Sequence, residues 1–452
     1  MHSLSTPKHA PERRTKLFAA GAMLFLTLVF GGNILRTVPN SEFRSFQADS
    51  QALVEIKIYE LALGETVTSG GFLRRQDEYA NQGINRDATI IQRDNTSRYN
   101  SQFGLQGLVS ALFARSMPLS PKSAITALEW LAAASSALVL TWFLCILFTR
   151  YGGVGAVIAT FLFAFIPIVV MYGRNLYWVP ALLFLPYVIA LHFYPRAYTA
   201  KKIFPALVGA IFAAVFVKCL CGYEFITCIV LAPTVVALGF GIASKQTLRT
   251  IATHCTILAA AAVLAFVLAL ATHLTFLSIS LGGIDQAAAV VSERAFSNTI
   301  NKAAIAPEPA LIKYSSGVSG IILLVMRYLT LGAIDIGIYP GELEKGYYLL
   351  RASFGGLTAI ALGLSATLIM RRSRLDVGMG ISLLFSLLAS VSWIISARVH
   401  SLHHFHLATI VFIIPFVLQL CVSFSTLIRT DRVSSSLTFT TNERLAAQKE
   451  AT

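Results

Sequence analysis

Ten stretches of this chain, at roughly 16–36, 124–148, 153–172, 177–194, 203–218, 225–243, 250–276, 348–370, 377–396 and 406–427, are runs of Leu, Ala, Val, Ile and Phe almost free of charge. About 20 apolar residues is the length a helix needs to cross the hydrocarbon of a bilayer. Hydrophobic residues make up 56% of the 452 and charged residues only 13%, more apolar surface than a water-soluble fold can hide. In lipid every backbone N–H and C=O must be paired within the protein, which leaves helices or a closed barrel. The runs do not alternate as barrel strands do. The expected fold is therefore all-α, a polytopic transmembrane helical bundle of about ten spanning helices.

The formal net charge is +14, yet the Lys and Arg residues are scattered over short loops rather than gathered in the patch a nucleic acid would need. They read as topology signals. Lys8, Arg13, Arg14 and Lys16, then Arg150, Arg196, Lys201, Lys202, Lys245, Arg249, Arg371, Arg372, Arg374, Arg429 and Arg432 all fall on one side of the ten runs, which predicts both termini in the cytoplasm. The expected organisation is a basic segment 1–15, a membrane domain 16–427 and a polar Ser/Thr-rich tail 428–452. Residues 18–34 continue into Leu35 and Arg36 without a small-residue cleavage site, so this segment reads as a retained first helix. The short N-terminus without an organelle address favours a bacterial inner membrane. The six cysteines form neither a disulfide framework nor a zinc pattern.

Two long segments, 37–123 and 277–347, fall on the opposite, outer side, and loops of that length are usually functional. Helical spacing in Ser50–Leu63, and short apolar stretches at Phe103–Phe113 and Gly320–Ala333, predict helices lying at the membrane interface or dipping partway in.

Candidate chemistry gathers on this outer side. Asp49 stands just before the first of those helices, placed to act as a general base on a hydroxyl or to help hold a divalent metal. Its structural alternative is to cap that helix. Asp77 and Glu78 offer a second acidic pair among loop charges, and Tyr99 and Gln102 lie in a polar, Gly-containing stretch suited to approach a head group. Arg174, beside Asn175 in a tight hairpin, runs against the positive-inside trend and suits a phosphate. Lys218 and Glu224, six residues apart at membrane depth, are either a structural ion pair or part of a site. Arg327 is a further phosphate candidate, with snorkelling as its alternative. Arg398, His400, His403 and His404 form the densest polar cluster, suited to binding phosphate or sugar through N–H donors, while the lack of a nearby carboxylate or cysteine argues against zinc.

This order of features resembles the GT-C superfamily of polyprenyl-phosphate-sugar-dependent glycosyltransferases, which includes the protein mannosyltransferases and the lipid A aminoarabinose transferases. The resemblance lies in a basic start, one helix, a long outer loop with Asp49 near its beginning, a bundle with short turns and a late Arg/His cluster. It implies an inverting transfer of sugar from a polyprenyl-phosphate donor to a lipid, glycan or protein acceptor, with an acidic residue of the first outer loop as base. Asp49 stands at the family's place after helix one, while Asp77-Glu78-Tyr79 matches the acidic pair by its letters about forty residues later, so the base stays open between them. The resemblance fixes no cofactor, and a divalent metal is compatible with it. Two other readings compete: a transporter or flippase of a lipid-linked or anionic solute, and a polysaccharide polymerase or ligase. No internal repeat of the kind common in transporters is visible.

Overall fold

The computed structural model describes residues 12–62, 73–82, 91, 96–199, 202–299, 317–338, 347–403 and 409–429. In chain order these form α1 (Glu12–Gly32), α2 (Asn40–Ser45), α3 (Ala48–Ala62), β1 (Arg74–Arg75), α4 (Asp77–Asn81), β2 (Ser97–Arg98), α5 (Leu105–Ser116), α6 (Pro121–Tyr151), α7 (Gly153–Ala164) and α8 (Pro167–Gly173). The chain continues through α9 (Pro180–Thr199), α10 (Ile203–Cys221), α11 (Ile226–Ala243), α12 (Leu248–Leu281), α13 (Ile284–Thr299) and α14 (Gly317–Leu329). An antiparallel pair, β3 (Gly332–Ile338) with β4 (Tyr347–Ser353), precedes α15 (Phe354–Met370), α16 (Arg374–Ser396), α17 (Arg398–His403) and α18 (Ile410–Arg429). Helix starts follow local chemistry: the side chains of Ser120, Thr247, Ser353 and Ser373 each accept the backbone N–H three residues on, opening α6, α12, α15 and α16.

The all-α bundle is the observed architecture, with fewer crossings than the ten expected. Among the described residues seven helices (α1, α6, α10, α11, α12, α16 and α18) are long and apolar enough to span, or eight if α7 and α8, bent by 74°, form one broken span. The run at 177–194 becomes α9, which is long enough but carries Pro186, Pro195, His192 and Arg196 and is too polar to qualify. The run at 348–370 divides, because its first residues pair as β4 and leave α15 only 17 residues. α12, with 34 residues, extends about 51 Å at the helical rise. That exceeds the hydrocarbon thickness, so one end stands clear of it. There Gly282, at φ +88°, lets the chain turn into α13.

The three short helices expected at the interface divide. α14 carries an exposed apolar face of Val318, Ile322, Leu323 and Met326, as an interfacial helix should. α5 exposes only Val109 and Leu112 among its large apolar residues. α3 departs from expectation: instead of lying on the interface it is enclosed by protein, with Gln51, Glu55, Lys57 and Glu60 all buried. Each charge there has a partner. Glu60 takes Arg74 Nε at 2.6 Å, Lys57 Nζ at 3.6 Å and the Thr96 hydroxyl at 2.7 Å. Glu55 accepts from Tyr79 at 2.8 Å and from Gln51 at 2.9 Å, and Gln51 also reaches Glu129 of α6 at 2.7 Å. Buried charges are tolerated when compensated in this way. These contacts tie α3 to β1, α4 and α6.

α11 packs most extensively on α16. Gly239 and Gly378 allow the approach, since a Cβ on Gly239 would stand 2.8 Å from Ser382 Oγ, and one on Gly378 would overlap the Gly239 carbonyl. Small residues at such crossings are the usual device of helix association in lipid.

Candidate functional site

One end of the bundle holds a cavity of about 680 Å³, lined by parts of five segments distant in sequence: 47–56, 75–102, 177–178, 223–227 and 266–295, with 393–400 closing it. The opposite end gathers basic residues, with Arg429 bonding the Arg150 carbonyl at 2.6 Å and Arg150 bonding the carbonyls of Leu191 and His192.

Several of the candidate residues converge here. Asp49 lies within the first turn of α3 rather than ahead of it, is exposed, and borders the cavity together with Asp77, Tyr99, Gln102, Glu224 and His400. Asp77 is held by Arg75, Nε to Oδ1 at 2.7 Å. Tyr99 lies 3.5 Å from a guanidinium nitrogen of Arg294 on α13. His400 meets Trp393 edge to face at 5.8 Å.

Others stand apart from it. Glu78 is exposed outside the lining. Arg174 turns to Glu129 at 3.4 Å and lies 4.5 Å over the Phe43 ring, serving the packing of α2 and α6. Arg327 and Arg398 do not line the cavity. The side chain of His403 and all of His404 lie outside the described residues, as do Asp87, Arg93, Asp94 and Asn95 of the first loop and the tail from Ser434. Of the two readings of Lys218 and Glu224, the ion pair is not formed. The Lys218 ammonium, buried, bonds the Gly222 carbonyl at 2.6 Å, which ties down the turn that carries Glu224.

Asn175 acts by shaping the wall. Its buried side-chain oxygen accepts the backbone N–H groups of Tyr177 at 3.0 Å and Trp178 at 3.1 Å, and so presents both rings to the cavity. The Tyr177 hydroxyl donates to Glu224 Oε1 at 3.1 Å and reaches Gln102 Oε1 at 3.2 Å. Burial first, then the Glu224 carboxylate, hold the Tyr177 hydroxyl far above the ordinary phenol range, so it stays a donor at any physiological pH. Tyr223, raised for the same leading reason, bonds His273 Nδ1 at 3.0 Å.

Sequence reasoning passed over Tyr177 and Trp178, whose aromatic rings look like an interfacial belt, and over Arg75, Tyr223, Arg294 and Trp393. The signal available for Tyr223 is the Gly222 before it, where a side chain would collide with Glu224 and come within 2.7 Å of Gln102 Oε1. Among the described residues no group of three His, Cys, Asp or Glu side chains is arranged to hold a metal ion. Acidic, basic and aromatic groups thus share one water-accessible chamber at the end of the bundle. The chain matches no known protein family, curated protein or solved structure.

Proposed function

We propose that this protein is an integral membrane glycosyltransferase of the GT-C kind, moving a sugar from a polyprenyl-phosphate donor to a lipid, glycan or protein acceptor. The observation that carries the reading is that Asp49, from the loop after the first helix, borders the same chamber as Glu224 and His400 from two later turns. Aromatic rings of Tyr177, Trp178, Tyr223 and Trp393 wall that chamber, the combination of apolar faces and a few polar groups that ring-shaped ligands occupy.

In the proposed step Asp49 takes the proton of an acceptor hydroxyl. The oxygen attacks the anomeric carbon as the bond to the carrier phosphate breaks, and the phosphate leaves with the electron pair. Arg75, Arg294 and His400 are the cationic or donor groups nearest to hand, and stabilising charge that develops on a leaving group is where such residues lower a barrier most. Asp77 belongs to this acidic rim as the alternative base. The chamber opens on the non-cytoplasmic face of a bacterial inner membrane, with both termini cytoplasmic.

The test is transfer of radiolabelled sugar from a panel of polyprenyl-phosphate donors, in membranes carrying wild type or Asp49→Asn. Transfer lost in the variant at equal expression supports both the enzyme and the base. Transfer that persists moves the base to Asp77, and no transfer from any donor favours a transporter.

A further inference from the structure

We infer that Glu224 is the residue by which this chamber grips and selects a sugar ring, accepting ring hydroxyl hydrogens on its free carboxylate oxygen while the ring stacks on the aromatic wall. The inference rests on the glycosyltransferase reading above.

Glu224 sits in the turn between α10 and α11, which is held by hydrogen bonds and close packing. Lys218 bonds the Gly222 carbonyl at 2.6 Å. The backbone N–H of Gly104, from the first outer loop, bonds the Leu220 carbonyl at 3.0 Å. Gly222 leaves no room for a side chain beneath Glu224 and Gln102. Phe225, the next residue, adopts φ +64° and is wholly buried, stacked on Trp178 at 5.4 Å and edge-on to Trp393 at 5.5 Å. A bulky aromatic residue in the left-handed region is costly, and such strain persists only where the surroundings over-determine it.

This turn fixes one carboxylate. Its Oε1 is taken by Tyr177, which can only donate to it, and among the described residues Oε2 has no partner. Lys218, the nearest cation in sequence, bonds the Gly222 carbonyl rather than the carboxylate, so Oε2 is left to accept from a ligand. Beside it the buried Gln102 has an amide nitrogen without a partner, a second polar group at the same wall. A pyranose or furanose offers what this wall lacks: C–H bonds of partial positive character for the negative faces of the rings, and hydroxyl donors for the carboxylate. Asp49, exposed at the rim, suits proton transfer, whereas Glu224, half-buried and braced, suits recognition.

The experiment uses the full chain in detergent. Two of its four tryptophans, Trp178 and Trp393, line the chamber, so binding is read from their fluorescence. The probes are farnesyl-phosphate-linked mannose, glucose and arabinose, their single-deoxy analogues, and the methyl glycosides of the same sugars. Glu224→Gln keeps an oxygen for Tyr177, so its melting temperature stays at the wild-type value. Losing hydrogen bonds to a charged acceptor weakens the best-bound sugar by about 10- to 100-fold, and the deoxy analogue that binds poorly to wild type binds the variant as well as its parent sugar does. Tyr177→Phe, which leaves the carboxylate charged but unbraced, shows a smaller loss in the same direction. Wild-type affinity and deoxy discrimination in Glu224→Gln overturn the inference and leave the transferase reading standing. Methyl glycosides bound in a Glu224-dependent way, with lipid-linked sugars ignored, keep the role of Glu224 and overturn that reading. Binding of neither overturns both.

Discussion

The Tyr177 hydroxyl lies 3.1 Å from Glu224 Oε1, joining two turns that are 47 residues apart in sequence. The turn before α9 and the turn before α11 therefore form a single wall. What places Tyr177 there is Asn175, whose side chain organises the backbone of the two residues that follow.

Replacing Asn175 with Ala leaves the N–H groups of Tyr177 and Trp178 without their acceptor in a buried setting. Each lost partner costs about 1–3 kcal/mol. The expected outcome is a melting temperature lowered by several degrees in detergent, with sugar transfer reduced more than expression. A variant as stable and active as wild type would show that the turn holds its shape without the Asn.

The second prediction concerns the ionic cluster under α3. Glu60→Ala removes the carboxylate that faces Lys57 and Arg74 in the interior, where both are buried, and should destabilise the protein by roughly 3–5 kcal/mol. Replacing all three with apolar residues of similar volume should recover most of the loss. Thermal unfolding of the single and triple variants separates these outcomes; equal loss in both would mean that packing, not charge, dominates.

A third prediction compares glycines. Gly378→Leu drives a side chain into the Gly239 carbonyl of α11 and should abolish the folded protein. Gly21→Ala, where nothing lies within 4 Å of the added carbon, should be neutral or stabilising by about 0.5–1 kcal/mol through helix propensity. Yield and monodispersity on size exclusion read both.

The proposed topology is tested by labelling. Ser97→Cys in β2 and Arg249→Cys at the start of α12 are both exposed positions. The native cysteines are buried or half-buried and give little background. A membrane-impermeant maleimide should modify Ser97→Cys in intact cells and Arg249→Cys only after permeabilisation, and the reverse pattern would invert the orientation.

Apolar runs made the helical bundle legible at once, because lipid admits so few ways to satisfy a backbone. The number of crossings was less legible. In α9 the prolines and polar side chains dilute an apolar run, and in β4 the first residues of another run pair with a neighbouring strand. Local sequence does not contain that competition.

For the site, residue chemistry and outer-side placement were enough to single out Asp49, Asp77, Tyr99, Gln102, Glu224 and His400, which the fold brings to one chamber. They were also enough to single out Arg174 and Lys218, which it does not. A cation looks the same in sequence whether it faces a ligand or a neighbouring carbonyl, and the difference lies in what stands beside it: Glu129 and Phe43 for Arg174, the Gly222 oxygen for Lys218. The sequence by itself determined the apolar helices and the segments in which polar groups collect, because transfer free energies act residue by residue. Only the tertiary structure decided which of those groups share a cavity, because that depends on pairings such as Tyr177 with Glu224 that close across tens of residues.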